Sequence, residues 1–283
     1  QVENLNAVVF DIQDVGARFY TYSCTLLYAL ETAGHARKSF FVLDRPNPIT
    51  GTHVEGPVME HDLESFVGCY DIPLRHGMTF GELATMANAE QHWGADLHVI
   101  RMADWQRGDW WDATGLGWVN PSPNMRSLNA ALLYPGLAML EADQNYSVGR
   151  GTDSPFEQIG APWIDGEALA KCLNSRFIPG IRVYPTRFTP ASSNFQGKEL
   201  EGVRFVITDR ESFDSTRLGI EVAAALEMLY PGKLNFEKCR FLIGNRQIVE
   251  QLRGQKPNAY ALSAAMQNDA DRFNERRKPY LLY

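Results

Sequence analysis

The sequence predicts an α/β protein: a Rossmann-like, mostly parallel sheet joined to a second, smaller α+β auxiliary domain. Three observations point there. Short, continuous apolar runs alternate with helix-spaced segments in the first half of the chain, and loops rich in Asp, Arg, Asn and Pro follow those runs. After Trp163 the pattern changes to longer strands and one strong helix. A chain of 283 residues has room for two domains. The change in pattern places a boundary near residues 155–165, dividing the chain into 1–160 and 161–283.

The elements follow in order. Asn6 to Ile12 ("NAVVFDI") and Ser39 to Asp44 ("SFFVLD") read as buried strands. Between them Leu26, Leu27, Leu30 and Ala33 keep helical spacing, and Gly34 stops the helix. Strand, helix, strand is a βαβ unit, so the two strands should be parallel and connected right-handedly. Thr79 and Glu82 stand in capping-box spacing at the start of a second helix, and "DLHVIRM" follows as a strand. "SLNAALLYPGLAMLEA" reads as a helix that Pro135-Gly136 can break. Beyond Trp163 come a helix ("DGEALAKCLNS"), two strands ("IRVYPTRFTP" and "VRFVITDR") and a helix from Asp214 to Tyr230.

Composition narrows the function. Hydrophobic content of 45% with 22% charged residues is that of an ordinary globular protein. A net charge of −7 and the absence of a basic run exclude a nucleic-acid partner. The densest basic cluster, Arg276-Arg277-Lys278, reads as a solvated helix terminus. No apolar run reaches the roughly 20 residues that span a bilayer. Cys24, Cys69, Cys172 and Cys239 are widely spaced, without CxxC or a metal-type pairing with histidine, and read as buried free thiols. No phosphate-binding glycine loop, GxSxG elbow or HExxH pair is present, so a nucleotide enzyme, a serine hydrolase and a zinc protease are weak readings.

Ligands of an open parallel sheet bind outside the carboxyl ends of its strands. The first such loop carries Asp11, Asp14, Arg18 and Tyr20, and the second Asp44, Arg45 and Asn47, with Pro46 and Pro48 holding it extended. Neighbouring strands would place the two loops side by side as a crest of carboxylates, guanidinium groups and phenols. An Asp after a strand also caps helices, and Asp–Arg pairs also staple loops. A third loop, Gly117 to Leu128, offers Asn120, Ser122 and Asn124, uncharged groups suited to sugar hydroxyls or an acetamido group, although Ser122 or Asn124 can equally cap a helix.

The stretch "NYSVGRGTDSPFEQIGAPW" (Asn145 to Trp163) sets Arg150 between Gly149 and Gly151. Glycines admit φ > 0 and a close approach to a ligand, and a guanidinium clamps a carboxylate with two bonds. Ser154, Pro155 and Glu157 read as the N-cap, N1 and N3 of a helix, with Thr152 and Asp153 at its N-terminus. The stretch therefore reads as an anion-recognising turn in front of a helix.

Five motifs in order, "VVFDIQDVGARFYTY", "VLDRPNPITG…VEGPV", "HGMTFGELA", "WVNPSPNMRSL…LLYPG" and "SVGRGTDSPFEQIGAPW", together with "YPTRFTP" and the terminal "YLLY", resemble the exo-β-N-acetylmuramidases of the NamZ type, glycoside hydrolase family 171. The resemblance implies a Rossmann-like domain with an auxiliary domain, a site in the cleft between them, and release of N-acetylmuramic acid from the non-reducing end of peptidoglycan fragments. It implies neither a metal nor an organic cofactor. Carried over position by position, it makes Asp11, Asp14, Arg18, Tyr20, Asp44, Arg45, Asn47, Glu55, Asn120, Asn124, Arg150, Asp153 and Glu157 candidates to line the site. Asp14, then Asp44, are the candidate catalytic carboxylates, and Arg150 or Arg45 the partner of the lactyl carboxylate. The family's favoured glutamate lies in a Gly-Pro-Glu-His-Gly-type motif, which the resemblance places upstream of Gln1. The alternative reading is a non-catalytic module binding cell-wall saccharide, or an inactive piece of the enzyme. The substrate makes a periplasmic or secreted location the expectation, with recycling in the cytoplasm as the other option.

Overall fold

A computed structural model describes residue 2, residues 4–254 and residues 257–283. In chain order the first elements are β1 (Ala7–Phe10), α1 (Tyr22–His35), β2 (Ser39–Leu43), β3 (Glu55–Val58), β4 (Pro73–Arg75), α2 (Phe80–Glu90) and β5 (Leu97–Ile100). Then come α3 (Leu128–Leu137), β6 (Gln158–Ala161), α4 (Gly166–Asn174), β7 (Ile181–Phe188), β8 (Leu200–Ile207) and α5 (Ser215–Leu229). The short α6 (Arg240–Ile243) and α7 (Arg246–Leu252) precede the long α8 (Ala259–Arg277).

The βαβ unit forms as its apolar pattern requires. β1, β2 and β5 make a parallel sheet in the order β1-β2-β5, with Val8 opposite Phe40 and Phe40 opposite Leu97. Phe40 and Val42 are buried in one core with Leu26, Leu27 and Leu30 of α1 and Leu83, Met86 and Ala87 of α2. The Thr79–Glu82 capping box at the start of α2 is present in both directions. β3 and β4 pair antiparallel beside this sheet. α8 returns across the chain to bury Ala270 and Phe273 in the same core.

The second core gathers α3, α4, α5 and the antiparallel sheet β6-β8-β7. Asp214 caps α5 by accepting from the Arg217 N–H. α3 carries Pro135 within it and runs on to Leu137, so the helix does not break there. The small residues have a different use. A Cβ on Gly136 would lie 1.9 Å from the Ser215 carbonyl oxygen and one on Gly219 would lie 2.4 Å from the Gly136 carbonyl oxygen, so two glycines let α3 and α5 touch backbone to backbone.

Three expectations are corrected. No helix follows Ser154: Phe156 takes φ 64°, a left-handed value that ends helical winding, and β6 begins at Gln158. Its ring is 1% exposed, and burying it fixes the turn against helix formation. Arg276 and Arg277 are not a solvated terminus. Arg276 bonds Asp71 and Glu90, while Arg277 is buried and donates to the carbonyls of Gly51, His76 and Gly77. Cys24 and Cys69 are not free thiols but a disulfide. Their Cα atoms stand 5.7 Å apart because α1 and the loop before β4 pack together, a proximity that a sequence separation of 45 conceals. Cys172 and Cys239 are free.

Candidate active site at the carboxyl ends of the parallel strands

The loops after β1 and β2 meet at the top of the sheet and open on a cavity of about 670 Å³. Its lining includes Asp11, Asp44, Arg45, Pro46, Trp105 and Leu116. Arg45 pairs with Asp11 at 2.5 Å, with both side chains nearly half exposed. Asp44 is buried, and each of its oxygens is occupied twice. Oδ1 accepts from the N–H groups of Arg45 (3.1 Å) and Gly81 (2.8 Å), and Oδ2 from the hydroxyls of Thr79 (2.7 Å) and Tyr283 (2.9 Å). Burial raises the Asp44 pKa, against the pull of the bonds from Thr79, Gly81 and Tyr283. The carboxylate thus ties the end of β2 to the N-terminus of α2 and to the chain's last described residue.

A second, deeper cluster forms around Asp14, which is 4% exposed. Among the described residues neither of its oxygens accepts a hydrogen bond. The wholly buried His76 brings Nε2 to 3.3 Å from Asp14 Oδ2, again without a bond. The Tyr20 hydroxyl is also unpartnered, and it faces Asp14, Tyr22 and Ser122. Tyr20 meets Tyr134 edge-on at 6.0 Å, and the Tyr134 phenol feels both Asp14 and Arg150. Burial pushes both phenols well above their ordinary pKa. Tyr22 donates to the Pro121 carbonyl at 3.3 Å, which brings the Asn-Pro loop against the first loop.

The remaining candidates spread outward from these two foci. Asn47 shapes its own loop, accepting from the Ile49 N–H and donating to the Met78 carbonyl (3.0 Å). Arg18 turns away from the crest and donates to four carbonyls, those of Pro57, Ile72, Leu242 and Ile243. Glu55 joins β3 to the start of α5, bonding Arg75 and the Ser215 N–H. Burial lifts its carboxyl to about 8, with Arg75 pulling the other way. Asn120 is exposed and Asn124 half-buried, and the cap of α3 is Ser127 rather than Ser122 or Asn124. Glu157 accepts from Ser127 (2.6 Å) and Arg204 (3.2 Å), and the exposed Asp153 pairs with Arg126 at 3.3 Å.

Arg150 sits between glycines at φ 78° and 79°, as the sequence indicates. Its two-bond clamp is closed on a carboxylate of this chain, Glu141, and its guanidinium lies 4.8 Å from the centre of the Phe156 ring. Glu141, His76, Tyr134 and Tyr283 escape a reading of the residues one loop at a time. His76, Tyr134 and Tyr283 do stand within motifs that carry the resemblance, "HGMTFGELA", "LLYPG" and "YLLY". No described helix is long and apolar enough to cross a membrane. The described residues hold no group of three His, Cys, Asp or Glu side chains placed to bind a metal ion.

A three-stranded parallel sheet with polar loops gathered at its carboxyl ends defines an α/β protein, and in open sheets of this kind ligands bind outside those ends. The comparisons make it particular. The N-terminal model of the exo-β-N-acetylmuramidase NamZ family matches residues 1–129 and the C-terminal model residues 132–283, so the chain belongs to that family. The peptidoglycan β-N-acetylmuramidase NamZ of Bacillus subtilis (strain 168) is 41% identical over 285 residues, spanning 100% of this chain and 68% of that protein. Two crystal structures of DUF1343 family proteins from Bacteroides fragilis NCTC 9343 are similar throughout. Their TM-scores are 0.93 and 0.80 at 33% and 30% identity, each covering 98% of this chain and 75% of the relative.

Proposed function

We propose that the protein is an exo-acting β-N-acetylmuramidase, a glycoside hydrolase that releases N-acetylmuramic acid from the non-reducing end of peptidoglycan fragments. The observation that carries this reading is identity to a peptidoglycan β-N-acetylmuramidase along the whole of the chain. Glycoside hydrolysis runs on carboxyl groups placed beside the scissile bond. Three aspartates crown the sheet, and their bonding separates them. Asp44 has its lone pairs filled and serves to hold the loops. Asp11 is engaged by Arg45. Asp14 alone keeps both oxygens unclaimed, and the cost of leaving a buried polar group unpaired is characteristically retained where function uses the group. Asp14 is therefore assigned to the reaction.

N-acetylmuramic acid differs from N-acetylglucosamine by a lactyl ether bearing a carboxylate. Arg45 is the guanidinium assigned to it, because its exposed pair with Asp11 exchanges readily, whereas Arg150 is already clamped. The Cys24–Cys69 disulfide supports a location outside the reducing cytoplasm.

Hydrolysis of a chromogenic β-N-acetylmuramide, set against the β-N-acetylglucosaminide, tests the activity on protein expressed from its complete gene. Turnover of the muramide alone is the expected result. A folded protein that binds but cleaves neither is a saccharide-binding module instead. Asp14→Asn should lower kcat by about 10²- to 10⁴-fold.

A further inference from the structure

We infer that His76 is a positioning residue for Asp14: an imidazole locked with a proton on Nε2, the ring nitrogen that faces the carboxylate. The inference rests on the assignment of Asp14 to the reaction.

The tautomer follows from the other ring nitrogen. The Met78 N–H donates to His76 Nδ1 at 3.2 Å, so Nδ1 must keep its lone pair and the ring proton belongs on Nε2. A proton on Nδ1 would displace the Met78 N–H from it. A ring so held cannot serve as a base through Nδ1. What it offers is a single N–H, located 3.3 Å from Asp14 Oδ2.

The turn carrying the ring is fixed from several directions. Arg277 of α8 donates to the carbonyls of His76 (3.3 Å) and Gly77, Arg107 donates to the Gly77 carbonyl (3.0 Å), and Asn47 donates to the Met78 carbonyl (3.0 Å). Two buried or half-buried guanidinium groups and an amide converge on three consecutive carbonyls. Locking a supporting residue in this way is how a functional carboxylate is held to its working geometry. Nε2 and both Asp14 oxygens remain unbonded across their contact. At 3.3 Å the two are within hydrogen-bond reach, so what the contact lacks is alignment, which catalytic hydrogen bonds commonly gain only as substrate is held.

Nitrogen-15 NMR of the histidine rings, with the His76 signals identified by their loss in His76→Gln, reads the tautomer without any reference to hydrolysis. At neutral pH, Nδ1 should be unprotonated and Nε2 protonated; the reverse overturns the inference even if Asp14 proves essential. Kinetics supply the second arm. His76→Phe should lower kcat by about 10- to 100-fold, with KM within about threefold, the loss expected for a hydrogen bond to a charged group. His76→Gln, whose amide restores a donor, should recover most of that loss. Equal kcat values in the Phe and Gln variants, or a change in KM alone, would leave His76 with only a packing role. Full activity in Asp14→Asn would instead overturn the assignment of Asp14. If the Phe variant does not fold, the NMR arm still decides.

Discussion

Arg18→Met separates a structural arginine from a site arginine. Arg18 is 1% exposed, and its guanidinium donates to Pro57 (3.1 Å), Ile72 (3.0 Å), Leu242 (2.9 Å) and Ile243 (2.9 Å). Hydrogen bonds from a charged donor contribute about 1.5–3 kcal/mol each, so the four amount to about 6–12 kcal/mol before the opposing cost. Removing the buried charge recovers several kcal/mol of desolvation, and burial already draws the Arg18 pKa down to about 9. The net loss should be about 3–5 kcal/mol, the range found when one side of a buried charged contact is removed. For a chain of this size the melting temperature should fall by about 10 °C. Thermal and urea unfolding followed by circular dichroism measure the loss, and kcat/KM of the folded fraction should stay within about threefold of the parent. A loss below about 1 kcal/mol would refute the four-carbonyl bookkeeping. Abolished turnover with unchanged melting would return Arg18 to the active site, where its place in the first loop suggests it belongs.

Other substitutions test the remaining assignments. Arg45→Ala should reduce the preference for β-N-acetylmuramide over β-N-acetylglucosaminide by about 10- to 100-fold, measured as a ratio of kcat/KM. Arg150→Ala should leave that ratio unchanged and lower stability by about 1–2 kcal/mol through loss of the Glu141 and Phe156 contacts; a collapsed ratio would make Arg150 the recognition residue after all. Cys24→Ser should cost about 3–4 kcal/mol in urea unfolding, because the cross-link closes a loop of sequence separation 45. Reducing agent should destabilise the parent and leave the variant untouched. His53 provides a pH test. Burial, reinforced by Arg75, lowers its pKa to about 4 from the ordinary histidine value of 6.5, so on acidification the unfolded chain takes up the proton first. Stability should therefore fall as the pH drops from about 6.5 towards 4, and His53→Gln should flatten that part of the profile.

The sheet was legible because its physics is local. Apolar runs at β1, β2 and β5, the Thr79 capping box and Asp214 before α5 each declare themselves within a few residues. The α8 stripe at residues 259, 262, 266, 270, 273 and 277 keeps helical spacing, but alanines fill two positions and Arg277 a third, so its apolar signal is thin. β3 reads Glu-Gly-Pro-Val, a composition that argues against a strand until β4 arrives to pair with it. The helix expected at Ser154 fails for a tertiary reason: Phe156 is drawn into the core against Tyr134 at 4.7 Å, and no capping signal competes with that burial.

The site divides along the same line. That a loop following a parallel strand forms part of the crest is a local fact, and Asp11, Asp44 and Arg45 line the cavity accordingly. What each aspartate does there is not local. Asp44 is filled by Thr79, Gly81 and Tyr283, which stand 35, 37 and 239 residues away, and nothing about position 44 announces them. Asp14 has the same sequence signature and the opposite environment, facing His76 and Tyr20 with its lone pairs unspent. A carboxylate whose oxygens are taken up by four donors is held in place and has no lone pair left for a substrate. Asp14, whose oxygens accept no hydrogen bond among the described residues, keeps them available. Lone-pair occupancy, which exists only in three dimensions, is the physical ground for preferring Asp14, which the resemblance already put first, over Asp44.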